Sequence, residues 1–152
     1  MTRIGLDTNI LVYLAGVDRG DGDAAKIDRT RRLLEDLSLR ATFVAPTQTL
    51  GELFAVLTRL GWSREEAREM AVRFQSTFEI ADAGQSAMLS AMDLAVTAQL
   101  QIWDALIVNA AAEAGCAILL TEDMQEGFVW RGMTLVNPLA ERMHQALAGL
   151  MG

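Results

Sequence analysis

Four acidic residues, widely separated in the chain, each stand where an apolar segment ends or turns. A carboxylate beside an apolar run is unfavourable unless it is hydrogen-bonded, hydrated, paired or bound to a cation. Placements of this kind indicate either helix caps or one shared metal ion. The four residues are Asp7, Glu52, Asp104 and Asp123.

Each of the four acids also has a structural explanation of its own. Asp7 precedes a Thr-Asn pair and would cap the short helix that follows, because Asp is favoured at that position. Asp104 would be an ordinary first-turn acid, which the helix dipole stabilises. Glu52 would be a solvated helix residue, and Asp123 a polar loop residue. The metal interpretation therefore depends on all four lying together.

The elements that must position these acids alternate between short apolar runs and helical patterns. Alternation of this kind predicts an α/β fold with a mainly parallel sheet. The predicted strands are residues 3–6, 42–44, 77–80, 117–120 and 133–136. The predicted helices are residues 10–14, 24–40, 47–60, 63–76, 82–99, 103–114 and 139–150, with a polar loop at 20–23. Capping boxes at Ser63 and Asp82 predict two of the helix starts, and the apolar helix at 103–114 is predicted to be buried.

The predicted sheet brings the four acids to one edge. Asp7 follows the first strand and Asp123 lies just beyond the fourth, so parallel strands place both carboxylates at the same rim, where open parallel sheets bind ligands. Asp104 lies in the first turn of the buried helix, and Glu52 lies in the second turn of the helix after the second strand. Both turns are expected to start near that rim.

Size and composition predict one domain over residues 1–152, long enough to bury a sizeable core. No signal peptide or membrane-spanning segment is evident, so the protein is expected to be soluble and cytoplasmic, without a membrane partner. One cysteine and one histidine exclude an internal disulfide and a Cys/His zinc site. Cys116 is predicted to be a small buried residue, and His144 a surface residue.

The net charge of −7 disfavours a nucleic-acid partner at long range. A divalent cation bound by the acids would reverse the local sign of the charge. Like-charged carboxylates held within a few ångströms repel by about a few kcal/mol, and a hard cation removes that penalty. Oxygen ligands select Mg²⁺ or Mn²⁺, which can activate a bound water and neutralise a phosphodiester. The predicted chemistry is metal-assisted phosphodiester hydrolysis.

Other acids near these segments are less informative. Asp82 follows a predicted strand, but a capping box with Gln85 explains it without chemistry. Glu122 and Glu126 flank Asp123, and the spacing does not decide whether they support the site or face solvent.

Four segments of the chain resemble the PIN domain, and specifically bacterial VapC-type toxin ribonucleases. They occur in the order usual for that family, and the resemblance spans essentially the whole chain. They are IGLDTNIL at residues 4–11, GEL at 51–53, IWDALI at 102–107 and LLTEDMQ at 119–125.

The resemblance implies a three-layer α/β/α sandwich around a parallel sheet of four or five strands. It also implies endonucleolytic cleavage of RNA, a cognate antitoxin protein and a homodimer. The residues that match the family's acidic ligands for Mg²⁺ or Mn²⁺ are Asp7, Glu52, Asp104 and Asp123. Asn9 and Thr121 match polar positions that support the site.

The acidic charge of the chain departs from relatives that bind structured RNA. Its clustered positive charges are arginines on predicted amphipathic helices, where pairing with nearby acids is common. RNA affinity would then depend on the metal, or the substrate would be a short or flexible RNA. The clustered arginines are Arg31, Arg32, Arg64, Arg68 and Arg73.

Three functions remain open. In the first, a ribonuclease toxin, Asp7, Asp104 and Asp123 are the principal ligands, and Glu52 is a ligand or orients the attacking water. The second is a catalytically inactive binding module that pairs with a regulator. The third is a small-molecule phosphohydrolase, which is disfavoured because Asn9 stands where an Asp-x-Asp nucleophile pair would have its second acid.

Overall fold

A six-stranded sheet forms the centre of the fold in the computed structural model, which describes residues 1–20 and 22–152. Its strands are β1 (Thr2–Leu6), β2 (Ala41–Pro46), β3 (Glu79–Ala81), β4 (Ile118–Leu120), β5 (Val129–Trp130) and β6 (Met133–Val136). The order across the sheet is β3-β2-β1-β4-β6-β5, and every neighbouring pair is parallel except β5 with β6. The predicted α/β class and mainly parallel sheet are confirmed. The sheet has six strands, whereas four or five were expected.

Helices cover both faces of this sheet. The helices of the described residues are α1 (Thr8–Leu14), α2 (Asp23–Leu37), α3 (Thr47–Arg59), α4 (Arg64–Thr77), α5 (Gln85–Ala98), α6 (Ile102–Glu113) and α7 (Gln145–Met151). One core cluster joins α1, α2, α3, α4 and α7 to strand residues such as Ile4 and Leu120. The other joins α5 and α6 to strand residues that lie on the opposite face of the sheet, such as Val44 and Leu119. Alternate strand residues thus divide between two cores, which gives the expected three-layer sandwich.

The direction in which the chain crosses the sheet reverses between β1 and β4. From β1 the chain proceeds outward to β2 and β3, and then returns past β1 to form β4 on its other side. The two strands are parallel neighbours, and their pairing ends where the Asp7 backbone N–H donates to the Leu120 carbonyl at 3.0 Å. Ligands of open α/β sheets bind outside the strand ends at such a switch point.

Helix α6 packs closely on the sheet because β1 has a glycine at its centre. A Cβ atom on Gly5 would lie 3.0 Å from Leu119 Cδ1 and 3.1 Å from Ala111 Cβ. Residues Ala105–Ala111 of the helix are all buried, as the apolar pattern predicted, whereas Trp103 in its first turn is exposed and not buried as predicted. The close approach holds the part of the helix around Ala111 against β1.

Strand β5 was not predicted from the sequence. It is only two residues long, and it is joined to β6 by Arg131 and Gly132, which have φ values of +49° and +81°. Two consecutive residues with positive φ are what a tight type I′ hairpin turn requires. Arginine at the first of these positions is not a usual hairpin signal, so the pattern gave no indication of it.

The closing helix was predicted to start at residue 139, but α7 starts at Gln145. The Arg29 guanidinium donates to the carbonyls of Leu139 and Ala140 at 3.1 and 2.7 Å, and the preceding turn is tied by Asn137. These carbonyls are therefore bound to α2 and not to a following turn of helix. His144, predicted to be a surface residue, is half-buried and caps α7 by accepting from the Ala146 backbone N–H.

The two predicted capping boxes have different outcomes. Ser63 caps α4 by accepting from the Glu66 backbone N–H at 3.1 Å, as predicted. The box at Asp82 is wrong, because α5 starts at Gln85 after Gly84 with no side-chain cap. Asp82 instead accepts a 2.8 Å hydrogen bond from the Thr47 hydroxyl, which ties the end of β3 to the start of α3.

Smaller boundary differences arise where helices and strands meet. Thr77, predicted to begin the third strand, ends α4, and α2 ends at Leu37, three residues before its predicted end. The predicted polar loop at 20–23 includes residue 21, which lies outside the described residues. Cys116 is buried, as predicted.

No single helix in the described ranges is long and apolar enough to cross a membrane. Helices α5 and α6 are long and apolar enough only when taken together, and they are bent by 116° relative to each other.

Candidate active site

The four acids predicted from the sequence line one cleft of about 390 Å³ at the carboxyl ends of β1 and β4. The expected convergence of Asp7, Glu52, Asp104 and Asp123 is therefore found. Within the described residues, no three His, Cys, Asp or Glu side chains form a ready-made ligand group. Three of the four carboxylates, those of Asp7, Glu52 and Asp123, instead accept hydrogen bonds from polar neighbours.

Asp7 is the most deeply placed of the four, with 3% of its surface exposed. Its Oδ1 accepts a 2.7 Å hydrogen bond from the Thr8 backbone N–H, so the residue does cap α1. Its Oδ2 accepts from the Thr121 hydroxyl at 2.7 Å and from Asn9 Nδ2 at 3.2 Å. The capping and site explanations of this residue are thus compatible, since one carboxylate oxygen meets the helix and the other meets the cleft network.

Burial raises the pKa of Asp7 to about 6, above its ordinary value of 3.8. The hydrogen bonds from Thr121 and the Thr8 backbone lower the pKa in part, whereas the nearby charges of Asp104 and Glu52 raise it. A buried carboxylate with acidic neighbours gains from a bound cation, which offsets both the desolvation and the repulsion.

Asn9 connects two of the acids through its amide. Its Nδ2 donates to Asp7 Oδ2 at 3.2 Å and to Asp123 Oδ2 at 3.0 Å, while its Oδ1 accepts from the Glu122 backbone N–H at 3.2 Å. The backbone donor fixes which end of the amide faces the carboxylates. An aspartate at position 9 would place a third carboxylate against two others, so asparagine suits a bridging role and not that of a nucleophile.

Thr121 holds the loop after β4 in place. Besides its bond to Asp7, its hydroxyl oxygen accepts from the backbone N–H groups of Asp123 and Met124 at 3.3 and 3.4 Å. The side chain is fully buried. The loop that presents Asp123 is therefore coupled to the end of β1 through one hydroxyl group.

Glu52 projects from α3 and is oriented by two side chains. The Thr8 hydroxyl donates to its Oε2 at 2.5 Å, and Gln48 Nε2 donates to its Oε1 at 3.3 Å. Gln48 lies one turn before Glu52 on the same helix. Glu52 thus faces the cleft with a defined orientation, although no strand presents it.

Asp104 lies in the first turn of α6, which Gln101 caps. The Gln101 side-chain oxygen accepts from the backbone N–H groups of Trp103 and Asp104 at 2.9 and 3.0 Å. Burial raises the pKa of the half-buried Asp104 carboxyl, and the charges of Glu52 and Asp123 raise it further. The capping group thus satisfies the helix backbone, and the Asp104 carboxylate takes no part in that cap.

The family model for the PIN domain matches residues 4–125, a span that contains all four acids of the cleft. The chain belongs to the PIN domain family. No curated protein sequence matches it.

Solved structures of VapC proteins share the fold of this PIN domain. VapBC2 from Rickettsia felis, crystallised with a DNA fragment from its promoter, is 21% identical with a TM-score of 0.62, covering 80% of this chain and 89% of that chain. VapC20 from Mycobacterium tuberculosis, described as a sarcin-ricin loop cleaving toxin, is 18% identical with a TM-score of 0.61, covering 76% and 86%. A toxin-antitoxin complex from Klebsiella pneumoniae is 22% identical with a TM-score of 0.62, covering 89% and 97%.

Several residues of this PIN domain's cleft were not predicted from the sequence. Thr8 and Gln48 orient Glu52, and Arg19 and Arg59 line the cleft beside the acids. Arg59 is seven residues after Glu52 on α3, and a helical spacing of seven places both side chains on one face. That spacing was the available signal for Arg59. Thr8 and Gln48 had none, because their role depends on how α1 and α3 pack.

Glu122 and Glu126, left undecided by the sequence, both have structural partners. Glu122 accepts a 2.5 Å hydrogen bond from the Tyr13 hydroxyl and forms a 2.7 Å ion pair with Lys26. Glu126 accepts from the Asn137 backbone N–H at 2.8 Å. Both acids therefore brace the segment that follows β4, and neither lines the acidic cleft.

Proposed function

We propose that this PIN domain is a Mg²⁺- or Mn²⁺-dependent endoribonuclease and the toxin of a type II toxin-antitoxin pair. The observation that supports it best is the convergence of four carboxylates on one cleft at the β1/β4 switch point. The VapC-type resemblance of the segments bearing these residues supports the choice of RNA as substrate. An RNA substrate would place the protein in the cytoplasm.

The chemistry of the cleft fits a hard divalent cation. The four acidic side chains of the cleft offer carboxylate oxygens, the ligand type that Mg²⁺ and Mn²⁺ prefer. Asp7, Asp104 and Asp123 would hold the ion, with Glu52 as a further ligand or as the residue that orients the attacking water. When bound, such an ion supplies an activated water and neutralises charge that develops on the phosphodiester.

The protein's own residues prepare this site in distinct ways. Thr8, Asn9 and Thr121 fix the Asp7 carboxylate in one orientation before any substrate arrives. The Thr8 hydroxyl and Gln48 hold Glu52, whose carboxylate would accept a hydrogen bond from the attacking water and direct its oxygen toward phosphorus. Preorganised groups of this kind lower the barrier because they need little reorganisation during the reaction.

A cognate antitoxin and a homodimer belong to the same proposal. The Klebsiella pneumoniae relative was crystallised as a toxin-antitoxin complex. Helix α5 exposes Leu89, Met92 and Val96 on one face, with 56%, 49% and 82% of their surfaces accessible. An exposed apolar surface of this kind is suited to self-association. Sedimentation of the wild-type protein and of a Val96→Glu variant tests the dimer.

RNA cleavage by purified protein tests the proposed activity. We expect cleavage of RNA in Mg²⁺ or Mn²⁺ that EDTA abolishes, and that Asp7→Asn and Asp104→Asn each reduce by a factor of about 10² or more. Asp93→Asn, an exposed acid on α5 outside the cleft, is the matched control. Circular dichroism and thermal unfolding confirm that each variant is folded.

Other outcomes identify the alternative functions. Undiminished cleavage in both variants contradicts the proposed site. A folded wild-type protein that neither cleaves RNA nor binds Mn²⁺ by calorimetry favours an inactive binding module. Hydrolysis of a simple phosphomonoester in preference to RNA favours a small-molecule phosphohydrolase.

A further inference from the structure

Two arginines, and not only acids, line the candidate active site. Arg19 follows α1, and Arg59 lies in the last turn of α3; both border the same cleft as the four carboxylates. None of the clustered arginines singled out from the sequence lines this cleft. The positive charge that lines the cleft therefore comes from two residues outside those clusters.

The cleft-facing side of α3 places Arg59 at a defined distance from Glu52. The two residues are separated by two helical turns, which corresponds to about 10 Å along the axis. Ala55 and Val56 line the cleft between them and make this part of its wall apolar. The Arg59 side chain is exposed, and it forms no ion pair with any carboxylate of the described residues. Its guanidinium is therefore free to receive an anion.

Arg19 is held by its neighbours but only weakly neutralised. Its guanidinium carbon lies 5.7 Å from the centre of the Tyr13 ring, and its backbone N–H donates to Asp23 Oδ2 at 2.7 Å. The distance from Arg19 Nε to the same oxygen is 3.9 Å, beyond hydrogen-bonding range. The side chain is positioned by stacking, and its donors remain available.

Guanidinium groups are suited to phosphate because their planar donors bind two oxygens at once. The net charge of −7 gives RNA no general attraction to this protein, so binding requires local cations beside the acids. The cleft of about 390 Å³ has the size of a small-ligand pocket, which suits an unpaired strand better than a duplex. Its apolar wall offers a surface for the sugars and bases of an unpaired strand.

We propose that Arg19 and Arg59 bind backbone phosphates of single-stranded RNA next to the phosphate that is cleaved. This assignment rests on the proposed ribonuclease function and specifies the form of its substrate. It gives each arginine a positioning role that is distinct from the roles of the acids.

The salt dependence of RNA binding tests the assignment. Binding of a short fluorescent single-stranded RNA is measured by anisotropy in Mg²⁺, in an Asp104→Asn background, with intactness of the RNA checked on gels. Each phosphate contact on a single strand contributes about 0.7 to the slope of log affinity against log salt. We expect Arg19→Gln and Arg59→Gln each to lower the slope by about 0.7, and the double variant by about 1.4. Arg59→Lys should retain most of the slope.

Arg64→Gln and Arg68→Gln on α4 form the matched control pair, because both residues are exposed and lie outside the cleft. An unchanged slope in the Arg19/Arg59 double variant overturns the assignment. An equal decrease in the control pair, or no measurable RNA binding by the parent protein, also overturns it.

The same experiment separates this assignment from the proposed function. Cleavage by the wild type together with an unchanged slope leaves the ribonuclease function standing and removes the arginine assignment. The expected decrease in slope without any cleavage by the wild type supports RNA binding by the two arginines and contradicts the ribonuclease function.

Discussion

The Thr121 hydroxyl donates a 2.7 Å hydrogen bond to Oδ2 of Asp7, and this bond joins the ends of the two strands that flank the switch point. The two residues are 114 positions apart in the chain. Both are buried, so the bond is shielded from water and its donor has no solvent substitute. The geometry of the candidate site depends on this contact because it connects the Asp7 carboxylate to the loop that presents Asp123.

Replacing Thr121 with valine should therefore destabilise the protein and loosen the site. We expect Thr121→Val to lower the free energy of unfolding by about 1–3 kcal/mol, since a buried carboxylate oxygen and two backbone N–H groups lose a partner. The pKa of Asp7 should rise further, because the bond from Thr121 lowers it. Urea unfolding measures the first effect. Thr121→Ser keeps the hydroxyl and serves as control, and equal stability of the two variants would contradict this role.

The stability of the metal-free protein should fall as pH rises through the titration of Asp7. The pKa of Asp7 is about 6 in the folded state and near its ordinary 3.8 when unfolded, so between these values the folded state binds more protons. Its stabilising contribution is fully present below about pH 3.8 and is lost as the pH rises through about 6, a change of about 3 kcal/mol. Unfolding in EDTA at a series of pH values should show this decrease in the wild type.

Asp7→Asn provides the reference for that measurement because it cannot titrate. The free energy of unfolding of the wild type minus that of the variant should be larger at about pH 4 than at about pH 7.5. A difference that is independent of pH would show that the Asp7 carboxyl is not perturbed by burial.

Divalent cations should stabilise the folded protein through the same carboxylates. At a Mn²⁺ concentration about 100 times the dissociation constant, binding to the folded state alone contributes about 2.7 kcal/mol. For a chain of this size, that corresponds to a rise in melting temperature of roughly 5–10 °C. The rise should disappear in Asp7→Asn and Asp104→Asn and persist in the control Asp93→Asn. Equal rises in all four proteins would place the ion outside the cleft.

Much of the site was predictable because it follows from the order of the elements. Alternating strands and helices imply parallel strands, and parallel strands bring residues such as Asp7 and Asp123 to one edge however far apart they lie in the chain. A helical spacing likewise places Arg59 on the same face of α3 as Glu52, although the sequence analysis did not use that spacing. These features depend on local periodicity, which the sequence displays directly.

The features that were not predicted depend on contacts between distant segments. The start of α7 is displaced because Arg29 on α2 binds the carbonyls of Leu139 and Ala140, about 110 residues away. The bridging role of Asn9 requires the backbone N–H of Glu122, which only the folded loop supplies. Neither contact produces a periodic pattern in the sequence, because each joins a single pair of segments.

Adding a methyl group at Gly5, inside the sheet, should disturb the candidate site. An alanine Cβ there would lie 3.0 Å from Leu119 Cδ1 and 3.1 Å from Ala111 Cβ, so α6 would have to move away from β1. We expect Gly5→Ala to lower the free energy of unfolding by about 1–3 kcal/mol, as overpacking does in other cores. Because Asp104 belongs to the same helix as Ala111 and would move with it, Mn²⁺ affinity measured by calorimetry should also fall.

Gly149→Ala is the matched control for this substitution, because a Cβ at Gly149 meets nothing within 4 Å and the residue lies inside α7. That variant should be as stable as the wild type or more stable by about 0.5–1 kcal/mol, since alanine favours helix more than glycine does. Gly5→Ala with wild-type stability and wild-type Mn²⁺ affinity would show that α6 is not held against β1 by this close approach. The position of Asp104 would then depend on the Gln101 cap and not on the packing of the helix.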